Sequence, residues 1–266
     1  MAEHRRLYGR ADYYDIVFDG TVESEIDFVQ ALHRRHTGRP LGSVLELACG
    51  PGYHARALAG RGVGAVGLDL SHEMIALACE KASADGVNVQ WLVGDMREFS
   101  LAAPVDMAIC TLDGIDCLLT DDEIVRHFRA VGGNLVPGGL YMMELSHPRD
   151  CSAEHYGRYR YEGERNGCRV TIDWANIRPA PRLAERVVVA EVIMQVRGNG
   201  SEETFVDQAY ERFLSPGDIG RLAEQSGVLE VCGWYGDFDV DQPFDESLSS
   251  RRMIAVLGRM GSDGRS

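Results

Sequence analysis

The residues best placed to do chemistry are an acid and two glycines in Glu46-Leu47-Ala48-Cys49-Gly50-Pro51-Gly52, with a second acid, Asp69, 19 residues after Gly50. Glycines one residue apart let a backbone bend sharply and approach a ligand, and a helix starting behind them offers free N–H groups. An acid about 20 residues farther on, at the end of the neighbouring strand, is placed to accept hydrogen bonds from a ribose diol. The position of Glu46 narrows the ligand. A carboxylate inside the strand ahead of the turn repels a pyrophosphate and tolerates a cation. Ala55 stands three residues after Gly52, a substitution that a dinucleotide turn also accepts.

These residues need a strand–turn–helix to hold them. Ser43 to Leu47 reads as a buried strand and Tyr53 to Gly60 as the helix behind the turn. Gly64 to Leu68 makes a second strand ending at Asp69, Val89 to Val93 a third ending at Gly94-Asp95-Met96, and Val105 to Cys110 a fourth leading into Thr111-Leu112-Asp113-Gly114. The turn Leu135-Val136-Pro137-Gly138-Gly139-Leu140 introduces strand five. From Leu41 to about Met143 the alternation of strand and helix predicts an α/β, Rossmann-like doubly wound parallel sheet, with ligand at the carboxyl ends of the strands.

Together these segments resemble, in order, the motifs of class I S-adenosylmethionine (SAM) dependent methyltransferases. Glu46 to Gly52 is similar to the family's first motif, an acid followed by alternating glycines, with Ala48 replacing the first glycine and crowding the methionine arm. Asp69-Leu70-Ser71 with Met74 is similar to the second. The resemblance implies that Asp69 binds both ribose hydroxyls and that the following apolar residues lie against the adenine. It further implies that Asp95 accepts from the adenine amine, that Met96 touches the ring, and that Thr111 lies at the cofactor. Tyr8 to Phe18 resembles the N-terminal segment of glycine-type and sugar-amine methyltransferases, placing Tyr14 and Asp15 on a motif that lies over the methionine end of the cofactor. Packing alone is the other reading of these tyrosines.

Residues 1–40 are read as an N-terminal helical cover and 41–150 as the cofactor-binding core. After strand five, β-branched alternating runs over Tyr159–Arg165, Cys168–Arg178, Leu183–Arg197 and Glu202–Leu214 predict an antiparallel insertion spanning 151–214, with turns at Pro179-Ala180-Pro181 and Gly198-Asn199-Gly200. In the resembling families an insertion here caps the active site or makes a dimer contact. Residues 215–260 return to the core through a helix begun at Ser215-Pro216 and two strands, which complete a seven-stranded sheet, and 261–266 form a disordered tail.

With 266 residues, 45% of them hydrophobic, the chain can bury a substantial core. A net charge of −14 disfavours nucleic acid and anionic membrane as partners. No apolar run reaches membrane-spanning length, the N-terminus is polar, and the seven cysteines show no pairing or metal-site spacing, so a cytoplasmic protein without a metal is expected. The partner is then a small-molecule substrate, with a homodimer contact as one use of the insertion.

The expected reaction is in-line transfer of a methyl group, which needs a nucleophile held at about 3 Å and aligned. Base candidates lie where the fold opens: Asp113 and Asp116 after strand four, Glu144 and His147 at the end of strand five. His147 is preferred for proton abstraction, Asp113 for orienting a substrate amine, and Tyr14 for reaching the methionine end or the substrate. An amine acceptor, in a metabolite or sugar, needs only a neutral lone pair and is the leading reading; a C- or O-methyltransferase of aromatic or peptide-derived natural products is the alternative. From other classes, an NAD-dependent oxidoreductase and a non-catalytic SAM-binding subunit remain to be weighed.

Overall fold

The computed structural model describes residues 7–145, 147, 158–179, 187–198, 200–245, 247 and 249–261. The expected turn at 179–181, the residue between Gly198 and Gly200, the start of the insertion and residues 262–266 of the expected tail fall wholly or partly outside them. Two helices come first, α1 (Ala11–Phe18) and α2 (Glu23–Thr37). Then β1 (Ser43–Leu47), α3 (Tyr53–Gly60), β2 (Gly64–Asp69), α4 (His72–Asp85), β3 (Val89–Val93) and β4 (Val105–Cys110) alternate. A 3-10 turn (Gly114–Cys117), α5 (Asp121–Asn134) and β5 (Leu135–Leu145) complete the parallel part.

The main sheet has the order β10-β11-β5-β4-β1-β2-β3, where β10 (Leu229–Tyr235) and β11 (Met253–Arg259) form the antiparallel edge. β1 therefore lies between β2 and β4, and the chain reverses its direction of travel across the sheet there. That is the crevice in which such folds bind ligands. Each face has its own core. Alternation along β1 sends Leu45 and Leu47 to the side of Phe128 in α5 and Leu222 in α6 (Pro216–Ser226), and Val44 to the side of Leu32 in α2 and Leu58 in α3. Glu46 shares the face of Val44, so its carboxylate must meet α3.

Caps mark the helix starts that the sequence carries. Ser71 accepts from the Met74 N–H at α4, Thr120 and Glu123 form a reciprocal pair at α5, and Ser215 with Asp218 does the same at α6, where Pro216 occupies the first turn and Gly227 the left-handed stop. Among the described residues no helix is long and apolar enough to cross a membrane.

The insertion is a separate antiparallel sheet of four strands, β6 (Arg158–Arg165), β7 (Cys168–Pro179), β8 (Val187–Gly198) and β9 (Ser201–Arg212), in sequence order. One face is apolar: Val170, Ile172, Val192, Met194 and Val196 are buried against Tyr13, Tyr14, Ile16, Val17 and Phe18 of α1. The helix sits so close that a Cβ on Gly163 would meet the Ile16 carbonyl oxygen at 2.0 Å. Without α1 this face would be open to water, and so α1 and the insertion share one apolar core.

Candidate active site

The turn after β1 is held by carboxylates. Its backbone has positive φ at Ala48 (50°), Gly50 (50°) and Gly52 (72°). Glycine pays little for this and alanine about 1 kcal/mol or more, so Ala48 stores strain at the crevice. Gly52 heads α3 and has no side chain to cap it; Glu46 does so instead, Oε2 accepting from the Ala55 N–H at 2.8 Å. Asp69 crosses from β2, Oδ2 accepting from the Gly50 N–H and Oδ1 from the Ser71 N–H, each at 2.8 Å. Burial raises the Asp69 pKa, against the pull of those two N–H groups.

Gly52 has a second duty. A Cβ there would come within 2.1 Å of the Trp91 ring, which also fills the space above Gly67. Gly52→Ala should cost about 1–2 kcal/mol for the left-handed backbone and a further ~1–3 kcal/mol for overpacking against Trp91. Denaturant unfolding would measure the loss; a change of under ~0.5 kcal/mol would show that the turn is not fixed as described.

Behind the turn, His54 lies between two acids. Its Nδ1 is 2.9 Å from Glu46 Oε1 and its Nε2 2.5 Å from Glu25 Oε2, on α2. Burial opposes the imidazolium, but the hydrogen bonds and charges of Glu25 and Glu46 outweigh it and push the pKa up to about 10. The charged ring thus ties the cover helix to β1. A second clamp centres on Asp15, 1% exposed, whose Oδ2 meets Lys81 at 2.8 Å and Arg165 at 2.6 Å while Oδ1 accepts from the Tyr53 hydroxyl at 3.1 Å. It joins α1 to α3, α4 and β6.

At the mouth of the crevice stand Leu70 (51% exposed) and Leu112 (54%), at the ends of β2 and β4. Leu112 and Asp113 both have positive φ, at 51° and 55°. Glu144 at the end of β5 props this turn: Oε2 accepts from the Leu112 N–H at 3.0 Å and Oε1 pairs with Arg252. Strained backbone thus gathers at the ends of the two adjacent central strands, where binding sites concentrate it.

A file of aromatic rings roofs the crevice. Tyr8 lies 6.0 Å from Tyr14, Tyr14 4.4 Å from Phe18, Phe18 5.0 Å from Tyr161, and Tyr161 6.4 Å from Tyr159. Ser71 donates to the Tyr8 carbonyl at 3.2 Å, fixing this file to the start of α4. Desolvation raises the phenol pKa values of Tyr8 and Tyr14, the nearby Asp69 charge adding to it, and raises Tyr161 to about 12 with help from Asp113 and Glu211. Tyr8 and Tyr161 nevertheless keep 42% and 38% of their surface accessible. Poorly solvated groups with accessible surface are what a recess produces.

The residues expected to bind a cofactor do not all face this recess. Ala48, Leu70 and Asp113 are exposed there, Tyr14 and Asp69 are half-buried, and Thr111 is buried with its hydroxyl 3.5 Å from His54 Nδ1. Glu46 is 2% exposed and committed to α3 and His54, and Met74 is 1% exposed beneath Gly50. Asp95 is drawn onto Arg97, whose Nε lies 3.0 Å from both of its oxygens, while Met96 is 8% exposed with its carbonyl held by His127 at 2.9 Å. Of the base candidates, Asp116 is 4% exposed, and His147 is 3% exposed and packs its ring on Phe244 at 5.3 Å, in the loop between β10 and β11.

What the sequence reading missed comes from the insertion. Tyr161, Trp174 and Glu211 lie on β6, β7 and β9, and β9 packs against the 3-10 turn after β4. The available signal was alternation in β9, where Phe205, Asp207, Ala209 and Glu211 share the face turned to the N-terminal segment.

Comparison with known proteins agrees with this geometry. Residues 44–139 match the family model described as a methyltransferase domain. A dTDP-3-amino-3,6-dideoxy-alpha-D-glucopyranose N,N-dimethyltransferase of Streptomyces fradiae is 32% identical over 137 residues, 50% of this chain and 52% of the relative. The chain spans about half the length of the first curated relatives it matches, 52% and 42% for the two foremost. Cypemycin N-terminal methyltransferase of a Streptomyces species is 25% identical over 254 residues, covering 91% of this chain and 98% of the relative. Among solved structures, an S-adenosylmethionine-dependent methyltransferase of Clostridium acetobutylicum superposes with a TM-score of 0.76 at 20% identity, covering 95% of this chain and 98% of the other. DesVI of Streptomyces venezuelae gives 0.76 at 21% identity, covering 94% and 98%. Residues 44–139 thus match a methyltransferase domain, and the chain shares its fold with solved S-adenosylmethionine-dependent methyltransferases.

Proposed function

We propose that this protein transfers a methyl group from SAM to an amine of a small-molecule acceptor. The observation that carries the reading is the fate of the N–H groups at the turn after β1. In a dinucleotide site such groups are left for a pyrophosphate. Here the Gly50 N–H donates to Asp69 and the Ala55 N–H to Glu46, so two carboxylates occupy the anion-binding positions. That arrangement disfavours NAD and suits a cationic cofactor. The relatives support an amine as acceptor, since two of them carry N,N-dimethyltransferase and N-terminal methyltransferase in their names.

The donor set fits SAM. Asp69 would hold the ribose diol beside Leu70, and Ala48, Gly50 and Thr111 the methionine arm, with Tyr14 above; Asp95 would reach the adenine end on exchanging Arg97 for it, above the buried Met96. SAM supplies, when bound, a methyl group already activated by a sulfonium centre. The protein has to exclude water and align a lone pair. The roof of Tyr8, Tyr14 and Tyr161 does the first, and their neutral phenols can donate to or accept from the acceptor. Asp113, held in its turn by Glu144 through Leu112, is placed to orient the incoming amine.

We assign residues 151–214 to a substrate cap over a core of 41–150 and 215–260, with 1–40 as cover, and the cap's outer face to a homodimer contact. The reaction is placed in the cytoplasm. The six cysteines described form no disulfides, which suits that location.

Labelled SAM incubated with free-amine sugars and peptides, followed by mass analysis for gains of one or two methyl groups, tests the reading. Methylation of hydroxyl or carbon acceptors alone would replace it. Tyr14→Phe should lower kcat about 10- to 100-fold with unchanged affinity for S-adenosylhomocysteine. A loss of binding without a change in kcat would instead make the hydroxyl a cofactor ligand.

A further inference from the structure

We propose that Glu211, on the cap strand β9, binds the ammonium form of the acceptor's amine and removes its proton. The inference rests on the amine-methylating reading above.

Glu211 lies on the face of β9 that also carries Phe205 and Asp207, and both of those touch the N-terminal segment: Phe205 stacks on Tyr13 at 6.5 Å, and Asp207 accepts from the Leu7 N–H at 3.3 Å. The next residue, Arg212, points the other way and pairs with Asp121 at 2.5 Å. Tyr8 of the N-terminal segment and Tyr161 of β6 feel the Glu211 charge, the Trp174 indole on β7 donates a hydrogen bond to its carboxylate, and the 3-10 turn packed against β9 carries Asp116 and Cys117. A poorly solvated carboxylate with an indole donor, within electrostatic reach of phenols that stay neutral, has capacity for a cation.

A primary amine is largely an ammonium ion at neutral pH and cannot attack a methyl group until it loses a proton. Burial, opposed by the Trp174 hydrogen bond, raises the Glu211 carboxyl to about 7, close to what a base needs at that pH. The ammonium first pairs with the Glu211 carboxylate. One N–H proton passes to the carboxylate, leaving a neutral amine and a carboxylic acid. The nitrogen lone pair then forms the N–C bond as the C–S bond breaks and its electron pair remains on sulfur. The product departs as a methylammonium ion, and Glu211 returns its proton to solvent.

The test compares wild type with Glu211→Gln, which keeps size and shape, and with Trp174→Phe. Each is first titrated with S-adenosylhomocysteine to confirm that the fold and cofactor site persist. The S-adenosylhomocysteine complexes are then titrated calorimetrically at pH 8 with tetra-alanine, its N-acetylated form, and dTDP-3-amino-3,6-dideoxyglucose, and the free amines are assayed for methylation from pH 5.5 to 9. In wild type, kcat/KM should rise through about pH 7 as Glu211 ionises. In Glu211→Gln, binding of the preferred free amine should weaken about 100-fold, binding of the acetylated peptide should not change, and the rise at pH 7 should vanish. Trp174→Phe should shift the rise to higher pH. Unchanged amine affinity and pH profile in Glu211→Gln would overturn the role of Glu211 while leaving amine methylation standing. Absence of methylation of both amines by wild type would overturn the amine reading and this inference with it.

Discussion

Replacing Asp69 with alanine is expected to weaken binding of S-adenosylhomocysteine by about 100-fold or more. The carboxylate is to supply two charge-assisted hydrogen bonds to a ribose diol, each worth about 1.5–3 kcal/mol, and a loss of 3 kcal/mol is already more than 100-fold in Kd. It also fixes the turn, through the Gly50 N–H on one oxygen and the Ser71 N–H on the other. Asp69→Asn separates the two duties. It keeps one acceptor oxygen of the same reach and removes the charge, so it should hold the turn better than alanine and still bind weakly. Calorimetric titration with S-adenosylhomocysteine, run beside NAD, measures both. Heat from NAD, or undiminished binding by Asp69→Ala, would overturn the cofactor assignment.

The second large effect is on stability. His54→Gln should destabilise the protein by about 3–5 kcal/mol, because it removes the cation that compensates two buried or half-buried carboxylates. For a chain of this size that is a fall in Tm of roughly 6–20 °C. The pH dependence distinguishes this from simple loss of packing. His54 has a folded pKa of about 10, raised from 6.5. The group therefore contributes stability that is fully present below about 6.5 and is lost as pH rises towards 10. The wild-type Tm should decline across that window, and the decline should be shallower in His54→Gln. Equal slopes would show that the ring is neutral in the folded protein. The variant should also loosen the attachment of α2 to β1, read as faster amide exchange in α2.

Both predictions concern residues that the chain reveals unequally. Asp69 was legible because its role depends on local order: an apolar strand, a turn with two glycines, a second strand and an acid at a fixed distance. Short-range sterics and β-strand alternation set these features within some 30 consecutive residues, and the same holds for the helix behind the turn and for the helix start at Ser215-Pro216. The four runs of the insertion were equally readable, because alternation of polar and apolar residues is a property of each strand alone.

The destinations of polar side chains were not. Glu46 looked free to meet a ligand, yet alternation along β1 turns it to α3, where Ala55 and His54 take both oxygens, and Glu25 arrives from 29 residues away to close the triad. His147 was legible as a residue at the end of strand five, whereas the ring beside it, Phe244 from the loop between β10 and β11, is supplied by the tertiary structure. Glu211 carried no local mark beyond its parity in β9, since what sets it apart is burial in the folded protein together with a hydrogen bond from Trp174, 37 residues away in the chain. The sequence by itself thus determined the strand order's raw material, the turn and the acids placed for a nucleoside. Only the tertiary structure decided which charges are consumed in holding the fold and which remain in the crevice, because pairing and desolvation depend on neighbours that chain order does not specify.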